Sequence, residues 1–340
     1  MNILVFENSK PREAQVSELG ELLRTEGTII WMDIFNCGDD EAAILRDIFH
    51  FHPLAIEDTR NQRQRPKLEE YEDYLFIIMN SVQMATERGI GVESMGSVIY
   101  HDLDFRELDL FVGRNYVVSV HNTDNNVISE ARRRVTTASA STQMNVGYLM
   151  YTLLDVVVDR YFPIMDMLEE AIGDLEDRVL IRPTQENMNR LFELKHMLLH
   201  MWRIVWPERD ILSNLTQPHL LAHVSGTESS HYYLRDVADH LLWIADMINT
   251  YRDTLTTIID IYMSSVSNRL NQVVNRLTIL TLVIGVMTVV SGFYGMNFLQ
   301  TWPPFDAPWG VPFVLLLMAL GIIGILGFLR WVNRKYSTPS

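Results

Sequence analysis

This 340-residue sequence has little cysteine, and its residues 277–340 have little charge. Its single cysteine, Cys37, excludes an intramolecular disulfide. No Lys, Arg, Asp or Glu lies between Arg276 and Asp306, and none follows until Arg330. Residues 277–340 carry a net charge of +2, which leaves −17 on the first 276 residues out of an overall −15. So acidic a body repels nucleic-acid phosphates and suits cations, which excludes DNA and RNA as partners.

Catalytic motifs are also missing from the acidic part of the chain. It contains no nucleophile elbow, P-loop, zinc-protease helix or glycine-rich dinucleotide turn. Paired acids such as Glu69-Glu70 and Glu169-Glu170 are typical of solvated faces. We therefore do not expect an enzyme.

Two charge-free segments near the C-terminus are long enough to cross a bilayer. Leu277–Phe298 and Gly310–Leu329 can each span about 30 Å of hydrocarbon as a helix. A pair of buried core helices is the alternative, but the short Pro-rich connection 299–309 favours a helical hairpin in lipid. Aromatic residues lie where lipid headgroups would be, namely at Trp302, Phe305, Trp309, Trp331 and Tyr336.

Basic residues flank the two predicted spans on the same side of the membrane. Arg269 and Arg276 precede the first span, Arg330 and Arg334 follow the second, and the connecting loop has no basic residue. The positive-inside bias then places both termini in the cytoplasm. The first twenty residues contain no apolar stretch resembling a signal peptide. We expect a multi-pass protein of the cytoplasmic (inner) membrane.

Periodicity divides the acidic part into an α/β region and a helical region. A helix is predicted at Glu41–Phe49, and a hairpin turn at 113–115. Strands are predicted at Thr28–Phe35, Tyr74–Met84, Met95–His101, Glu107–Val112 and Tyr116–His121. From about Ser129 onwards, helical spacing predicts an antiparallel pair, Gly147–Leu180 and Thr184–Leu215, with Thr184 as the N-cap.

These patterns give an expected order of domains along the chain. The fold class is an α/β cytoplasmic domain followed by a long stalk helix and two transmembrane helices. The expected boundaries are a cytoplasmic α/β domain at 1–140, a cytoplasmic helical pair at 141–230, a stalk helix at 231–298 that includes the span 277–298, an external loop at 299–309, a second transmembrane helix at 310–330 and a cytoplasmic tail at 331–340.

A polar stripe follows one face of the predicted stalk helix. From His231 to Tyr294 there is no proline, and the glycines lie only at 285 and 292, which permits one continuous helix. Residues at alternating steps of four and three are polar or small except Val274: Asp260, Ser264, Ser267, Asn271, Thr278, Thr281, Gly285, Thr288, Gly292 and Gly295. In lipid such a stripe would be costly, so it must face protein or water. Close helix packing through small residues is one interpretation, and an ion path is the other, which the polar intramembrane groups favour. Because two spans are too few to enclose a pore, an ion path requires several copies of the chain.

The first predicted span ends in the pentapeptide Tyr-Gly-Met-Asn-Phe at 294–298. Here the chain resembles the CorA family of divalent-cation channels, whose signature is the Gly-Met-Asn tripeptide at the end of the first of two C-terminal spans. The blocks His52–Asp58, Gln64–Tyr71 and Asp260–Asn268 also look like this family. The resemblance covers the chain from about residue 28. It implies a funnel-shaped homopentamer in which long stalk helices line the pore and the second spans form an outer ring.

The resemblance also implies roles for individual residues. Gly295, Met296 and Asn297 would form the selectivity ring at the outer mouth of the pore. The conduit below would be lined by Asp260, Asn271, Leu277, Thr281, Gly285 and Thr288. Leu277 matches a hydrophobic constriction, and Gly285 stands where the family usually has a methionine. A regulatory metal site between subunits would use Asp58 and Asp236, with Glu57 and His240 nearby. Solvated surface acids are the alternative interpretation of that group.

The expected ion is Mg²⁺, as both the transported and the regulatory species, with Co²⁺ or Ni²⁺ as further substrates. Mg²⁺ sheds water reluctantly, and a ring of asparagine amides can hold the hydrated ion through outer-shell hydrogen bonds.

A zinc transporter of the same superfamily is one alternative, because His196 with His200 and His219 with His223 have helical i, i+4 spacing, although no third ligand is evident. A membrane-tethered metal sensor or scaffold is another, and it would not require the polar stripe. The expected partners are further copies of the chain, divalent cations and the lipid bilayer.

Overall fold

The computed structural model describes the chain except for residues 8, 63, 85–102, 124–125, 139–143, 222–226, 297–301, 305–307 and 337–340. Its contacts divide it into two compact units, Met1–Asp260 and Ile261–Ser340.

The first unit is built on one mixed β-sheet. Its strands are β1 (Asn2–Glu7), β2 (Lys10–Glu13), β3 (Thr28–Phe35), β4 (Lys67–Glu70), β5 (Tyr74–Met84), β6 (Leu103–Gly113) and β7 (Tyr116–His121). Their order across the sheet is β2-β1-β3-β7-β6-β5-β4. The central pair β3 and β7 is parallel, and the pairs on either side of it are antiparallel.

Helices account for most of the remaining described chain. The short ones near the N-terminus are a 3₁₀ turn (Val16–Glu18), α1 (Leu19–Leu22), α2 (Asp39–Asp47) and α3 (Pro53–Asn61). They are followed by α4 (Asn126–Ala138), α5 (Val146–Asp159), α6 (Tyr161–Ile181), α7 (Gln185–Leu215), α8 (Pro218–Leu221), α9 (Thr227–Tyr294) and α10 (Gly310–Tyr336).

One face of the sheet carries an aromatic core that fixes α3. Phe51, just before α3, stacks on Phe111 of β6 with ring centroids 4.2 Å apart and planes 7° from parallel. Both rings are almost fully buried. Each such ring buries a large apolar area and contributes strongly to the core. The start of α3, and with it Glu57 and Asp58, is therefore held firmly against the sheet.

Four of the seven strands follow the sequence-based expectations, and three do not. The strands predicted at Thr28–Phe35, Tyr74–Met84 and Tyr116–His121 are confirmed, and Glu107–Val112 lies within the longer β6. The strand predicted at Met95–His101 lies outside the described residues. The sequence did not reveal the three remaining strands, β1, β2 and β4, of which β2 and β4 are short and rich in charge.

The helical prediction needs two corrections. The helix expected from Gly147 to Leu180 is divided at Arg160, where α5 ends and α6 begins. The break contains a single residue, so apolar periodicity continues on both sides and conceals it. The first span was expected to reach Phe298, but α9 ends at Tyr294, immediately before Gly295, a residue type with poor helix propensity. The continuous helix over His231–Tyr294 and the N-cap at Thr184, whose Oγ1 accepts from the Asn187 N–H at 3.2 Å, are confirmed.

The second unit contains the apolar C-terminal part of α9 and all of α10. Both helices have an 18-residue window apolar and long enough to cross a bilayer, with mean hydropathy of 2.1 and 2.6. The half-buried residues of α9 here include Val283, Val286 and Val290, which share one face. A Cβ added at Gly321 of α10 would lie 2.9 Å from Val286 Cγ1. The two helices therefore contact each other through this valine face.

Candidate ion pathway and metal sites

The polar stripe of α9 lies opposite the face that contacts α10. Thr281 is two residues from Val283, and Thr288 is two residues from both Val286 and Val290. At about 100° per residue, a separation of two residues places side chains on opposite sides of a helix. The stripe therefore points away from α10.

Every predicted pore residue that the structure describes is exposed on the single chain. This set consists of Asp260, Asn271, Leu277, Thr281, Gly285, Thr288, Gly295 and Met296. Asn297 lies outside the described residues. A Cβ at Gly285 or Gly292 would meet no atom within 4 Å, whereas one at Gly321 would. Small residues on the stripe are therefore not needed for contact between α9 and α10.

The threonines of the stripe present oxygen lone pairs. The Thr278 and Thr281 hydroxyls donate to the carbonyl oxygens of Val274 and Leu277, each at 2.9 Å. Because the hydroxyl hydrogen is used within the helix, the oxygen is left to accept a hydrogen bond from outside it. Water bound to a cation is a hydrogen-bond donor, so this surface suits a hydrated cation.

The end of α9 explains why glycine stands at position 295. The Gly295 N–H donates to the Ser291 carbonyl at 2.8 Å, which continues the helical bonding by one residue. An added Cβ would lie 2.9 Å from that same carbonyl oxygen, a distance that real side chains essentially never show. The Tyr294 hydroxyl donates to the Trp302 carbonyl at 3.3 Å and ties the helix end to the following loop.

Asp58 already has a cationic partner within its own chain. The Lys67 ammonium lies 2.6 Å from Asp58 Oδ2 and 2.7 Å from Glu69 Oε1. Burial alone would lower the Lys67 pKa, but its bonds to the two carboxylates raise it above the usual value. Asp58, Glu69 and Glu70, with Leu54 and Tyr71, line an open cavity of about 500 Å³. A divalent cation approaching Asp58 must therefore compete with Lys67.

His240 of α9 meets two carboxylates that the sequence analysis did not select. Asp155 and Asp159 of α5 and His240 each offer a ligand atom, and these atoms all lie within 4.8 Å of one another. Among the described residues, no such grouping of three includes Asp58 or Asp236. Asp155 and Asp159 have i, i+4 spacing inside the apolar run Leu-Leu-Asp-Val-Val-Val-Asp, a signal that could have revealed them.

Arg134 of α4 occupies this acidic grouping. Its guanidinium bonds to Asp155 Oδ2, Asp159 Oδ2 and Glu130 Oε1, each at 2.8 Å. Burial and the neighbouring Asp159 raise the pKa of Asp155 to about 6, while Arg134 opposes the shift. The charge of Asp236 also raises this pKa, so the predicted regulatory aspartate is electrostatically linked to the grouping. A metal ion here must displace or share carboxylates with a resident arginine.

The histidine pairs considered for zinc do not form a larger ligand set in the described part of the chain. His196 and His200 are absent from any grouping of three ligands there, and His223 lies outside the described residues. The His200 ring packs against Phe105 with centroids 4.8 Å apart, and burial lowers its pKa. His200 is thus positioned as a packing residue.

Comparisons with known proteins agree over most of the chain. A family model described as "CorA-like Mg2+ transporter protein" matches residues 26–334. The "Cobalt/magnesium transport protein CorA" of Thermotoga maritima is 31% identical over 331 residues, which cover 96% of this chain and 89% of that protein.

Two solved structures share the fold. The complete CorA magnesium transporter from Methanocaldococcus jannaschii matches with a TM-score of 0.75 and 22% identity, covering 97% of this chain and 98% of that one. The ZntB cytoplasmic domain from Vibrio parahaemolyticus matches with a TM-score of 0.57 and 13% identity, covering 78% of this chain and 98% of that one. The predicted fold class, an α/β domain followed by a long helix and two apolar helices, is confirmed.

Removing the resident arginine should destabilise the acidic grouping. We expect Arg134→Met to lower the free energy of unfolding by about 2 kcal/mol, because three carboxylates lose charged hydrogen bonds. Thermal unfolding of the purified protein in detergent measures this change. Added Co²⁺ should then stabilise the variant more than the wild type, since His240 and the vacated carboxylates can bind it.

The adjacent Arg133 provides a matched control. It is 69% exposed and bonds only to Glu130 among the ion pairs of the described chain. Arg133→Met should change stability by no more than about 0.5 kcal/mol. Equal effects of the two substitutions would contradict the role assigned to Arg134.

Proposed function

This chain belongs to the CorA-like Mg²⁺ transporter family, and we propose that it is a homopentameric channel for Mg²⁺ influx across the cytoplasmic membrane. The observation that supports this most is the exposed polar stripe of α9, which points away from α10 and cannot be left in contact with lipid. Further copies of α9 around a central axis would enclose the stripe. The same arrangement would leave α10 on the lipid side as the outer ring.

The orientation follows from the distribution of charge. Arg269 and Arg276 precede the first span and Arg330 follows the second, so that both chain ends lie in the cytoplasm. The first unit, which is strongly acidic, then lies in the cytoplasm, where the ion arrives. Asn297, with Gly295 and Met296, forms the ring at the outer mouth.

The proposed conduit carries hydrated Mg²⁺. Mg²⁺ keeps its water shell more tightly than larger divalent cations, and threonine and asparagine oxygens can accept hydrogen bonds from that shell. Below the outer ring, Leu277 is an apolar constriction. Because Gly285 has no side chain, the conduit would be wider at its level. Co²⁺ and Ni²⁺ would be accepted as further substrates by the same ring of oxygens.

Regulation is proposed at acidic residues shared between neighbouring subunits. Five bodies of net charge −17 repel one another, and divalent cations bridging Asp58 of one subunit and Asp236 of the next would offset the repulsion. Glu57 and His240 stand beside these residues as additional ligands. When cytosolic Mg²⁺ falls, the bridges empty and the pore opens.

A zinc transporter of the same superfamily remains the alternative function. His240 with Asp155 and Asp159 supplies the kind of nitrogen and oxygen ligands that Zn²⁺ accepts. Uptake of Mg²⁺, Co²⁺ and Zn²⁺ into liposomes containing the purified protein distinguishes the two functions. Zn²⁺ uptake without Mg²⁺ uptake would reject the magnesium channel.

The outer ring can be tested at its asparagine. We expect Asn297→Ala to lower Mg²⁺ uptake into liposomes by about tenfold or more, because alanine removes the amide oxygens that hold the hydrated ion. Asn297→Asp keeps the shape and adds charge, so it should change the order of ion preference. The mass of each variant in mild detergent should equal that of five chains, as for the wild type.

Gln300→Ala is the matched control, since it removes another amide from the loop that follows the same span. It should leave uptake unchanged. Wild-type uptake by an Asn297→Ala protein that assembles normally would mean that the tripeptide only packs the helix end and turns the loop.

The regulatory site can be tested with one carboxylate. We expect Asp236→Asn to raise the internal Mg²⁺ concentration needed for half-inhibition of the current by about tenfold, through loss of a charged ligand. Patch recordings with varied internal Mg²⁺ measure this shift. Asp253→Asn, at an exposed aspartate on another face of α9, is the control and should not move the curve. An unchanged curve for Asp236→Asn would leave Asp236 as ordinary surface charge.

A further inference from the structure

Strand β5 extends past the end of its outer neighbour, and this leaves backbone groups at the sheet edge. β4 pairs with β5 only from Glu70 opposite Leu75 to Lys67 opposite Ile78. Asn80 is two residues beyond that last pair. In an antiparallel strand the N–H and C=O of one residue point to the same side, so both backbone groups of Asn80 need partners there.

Two buried side chains supply those partners. The Asn80 N–H donates to Glu208 Oε1 at 2.6 Å. The Tyr161 hydroxyl donates to the Asn80 carbonyl at 2.8 Å. Tyr161 Oη also lies 3.0 Å from Glu208 Oε2, which closes a ring that joins β5, α6 and α7. Glu208 and Tyr161 are fully buried, and Asn80 is 7% exposed.

The number of hydrogens in the ring favours one protonation state of Glu208. With an ionised carboxylate, the Asn80 N–H and the Tyr161 O–H are two donors for three acceptors: the Asn80 carbonyl and both carboxylate oxygens. One buried acceptor is then left without a hydrogen bond, which is costly away from water. A proton on Oε2 removes the deficit, because Glu208 then donates to Tyr161, Tyr161 donates to Asn80, and Asn80 donates to Glu208.

We propose that Glu208 is a neutral carboxylic acid in the folded protein at neutral pH, and that its ionisation opens this ring. The ring fastens α6 and α7 to the edge of the sheet. Opening the ring would weaken that attachment, so the packing of α6 and α7 against the sheet in the first unit depends on pH.

The surroundings of Glu208 support the neutral form. Burial raises the pKa of Glu208 to about 8, against the opposing effects of its bonds with Asn80 and Tyr161. Burial also holds the pKa of Tyr161, the titratable group that faces it from α6, well above its usual range. On α7 itself, the neighbouring Arg209 is turned to Asp210, 2.7 Å away, and to the Trp206 ring. Asn80 is the group that β5 presents to it.

The pH dependence has a defined sign. Since the folded-state pKa of about 8 is higher than the ordinary value of 4.5, the folded protein binds more protons in the interval between them. The stabilisation from neutral Glu208 is complete below the ordinary value. It falls as the pH rises through the interval and is lost above about 8.

Glu208→Gln isolates this effect in the full-length protein. The glutamine amide can donate from Nε2 to Tyr161 and accept at Oε1 from Asn80, so the ring is kept without a titratable proton. We expect the melting temperature of the variant to match the wild type near pH 5 and to exceed it at pH 8.5. Subtracting the two curves removes the contribution of all other titrating groups.

A second variant and a spectrum complete the test. Glu208→Leu cannot accept from the Asn80 N–H or bond to the Tyr161 hydroxyl, and it should be less stable than the wild type near pH 5. Infrared difference spectra of wild type against Glu208→Gln should contain a protonated carboxylic acid C=O band at pH 7 that disappears at alkaline pH. A wild-type and Gln difference that stays constant from pH 5 to 9, or a missing acid band at pH 7, would overturn the proposal.

Discussion

The cost of placing polar groups in hydrocarbon is the constraint on which the rest of this structure depends. A charge-free helix can enter the bilayer, but hydroxyl and amide side chains along one face of it cannot be left against lipid tails. Within one chain, α10 covers the valine face of α9, and the polar stripe points away from it. The stripe itself needs contact with water or with further copies of α9. In the proposed oligomer, further copies of α9 would therefore serve solvation of the stripe as well as regulation.

Cations supplied by the protein compete with cations from solution at the acidic unit. Lys67 bonds to Asp58, and Arg134 bonds to Asp155 and Asp159. A single subunit is thus partly neutralised at the places where a divalent ion would bind. Binding of a metal at these places would then be opposed by the resident pairing, and it would be weaker than the number of carboxylates suggests.

How much could be predicted depended on whether the signal was local in the sequence. The strands β3, β5 and β7 have a continuous apolar pattern, and the long helix has no proline over His231–Tyr294, so the sequence was sufficient to place them. It did not place the end of the first span, which is at Tyr294, or the apolar strand β1. β2 and β4 are short and polar, so pairing with their neighbours defines them. The grouping at His240 could not be assembled because Arg134, Asp155 and His240 are distant in sequence and meet only through packing of α4, α5 and α9. Glu208 was missed for the same reason: a glutamate in a helix is ordinary until Asn80 and Tyr161 are placed beside it.

The contact between Gly321 and Val286 couples movements of α9 to movements of α10. A Cβ at Gly321 would collide with Val286, so the valine side chain packs directly against the α10 backbone. A rotation of α9 that turned its threonines would therefore carry α10 with it. The outer surface of α10 is apolar and bears on the surrounding lipid, whose thickness and lateral pressure would oppose or assist that rotation. Bilayer mechanics would thus act on the helix pair that carries the polar stripe.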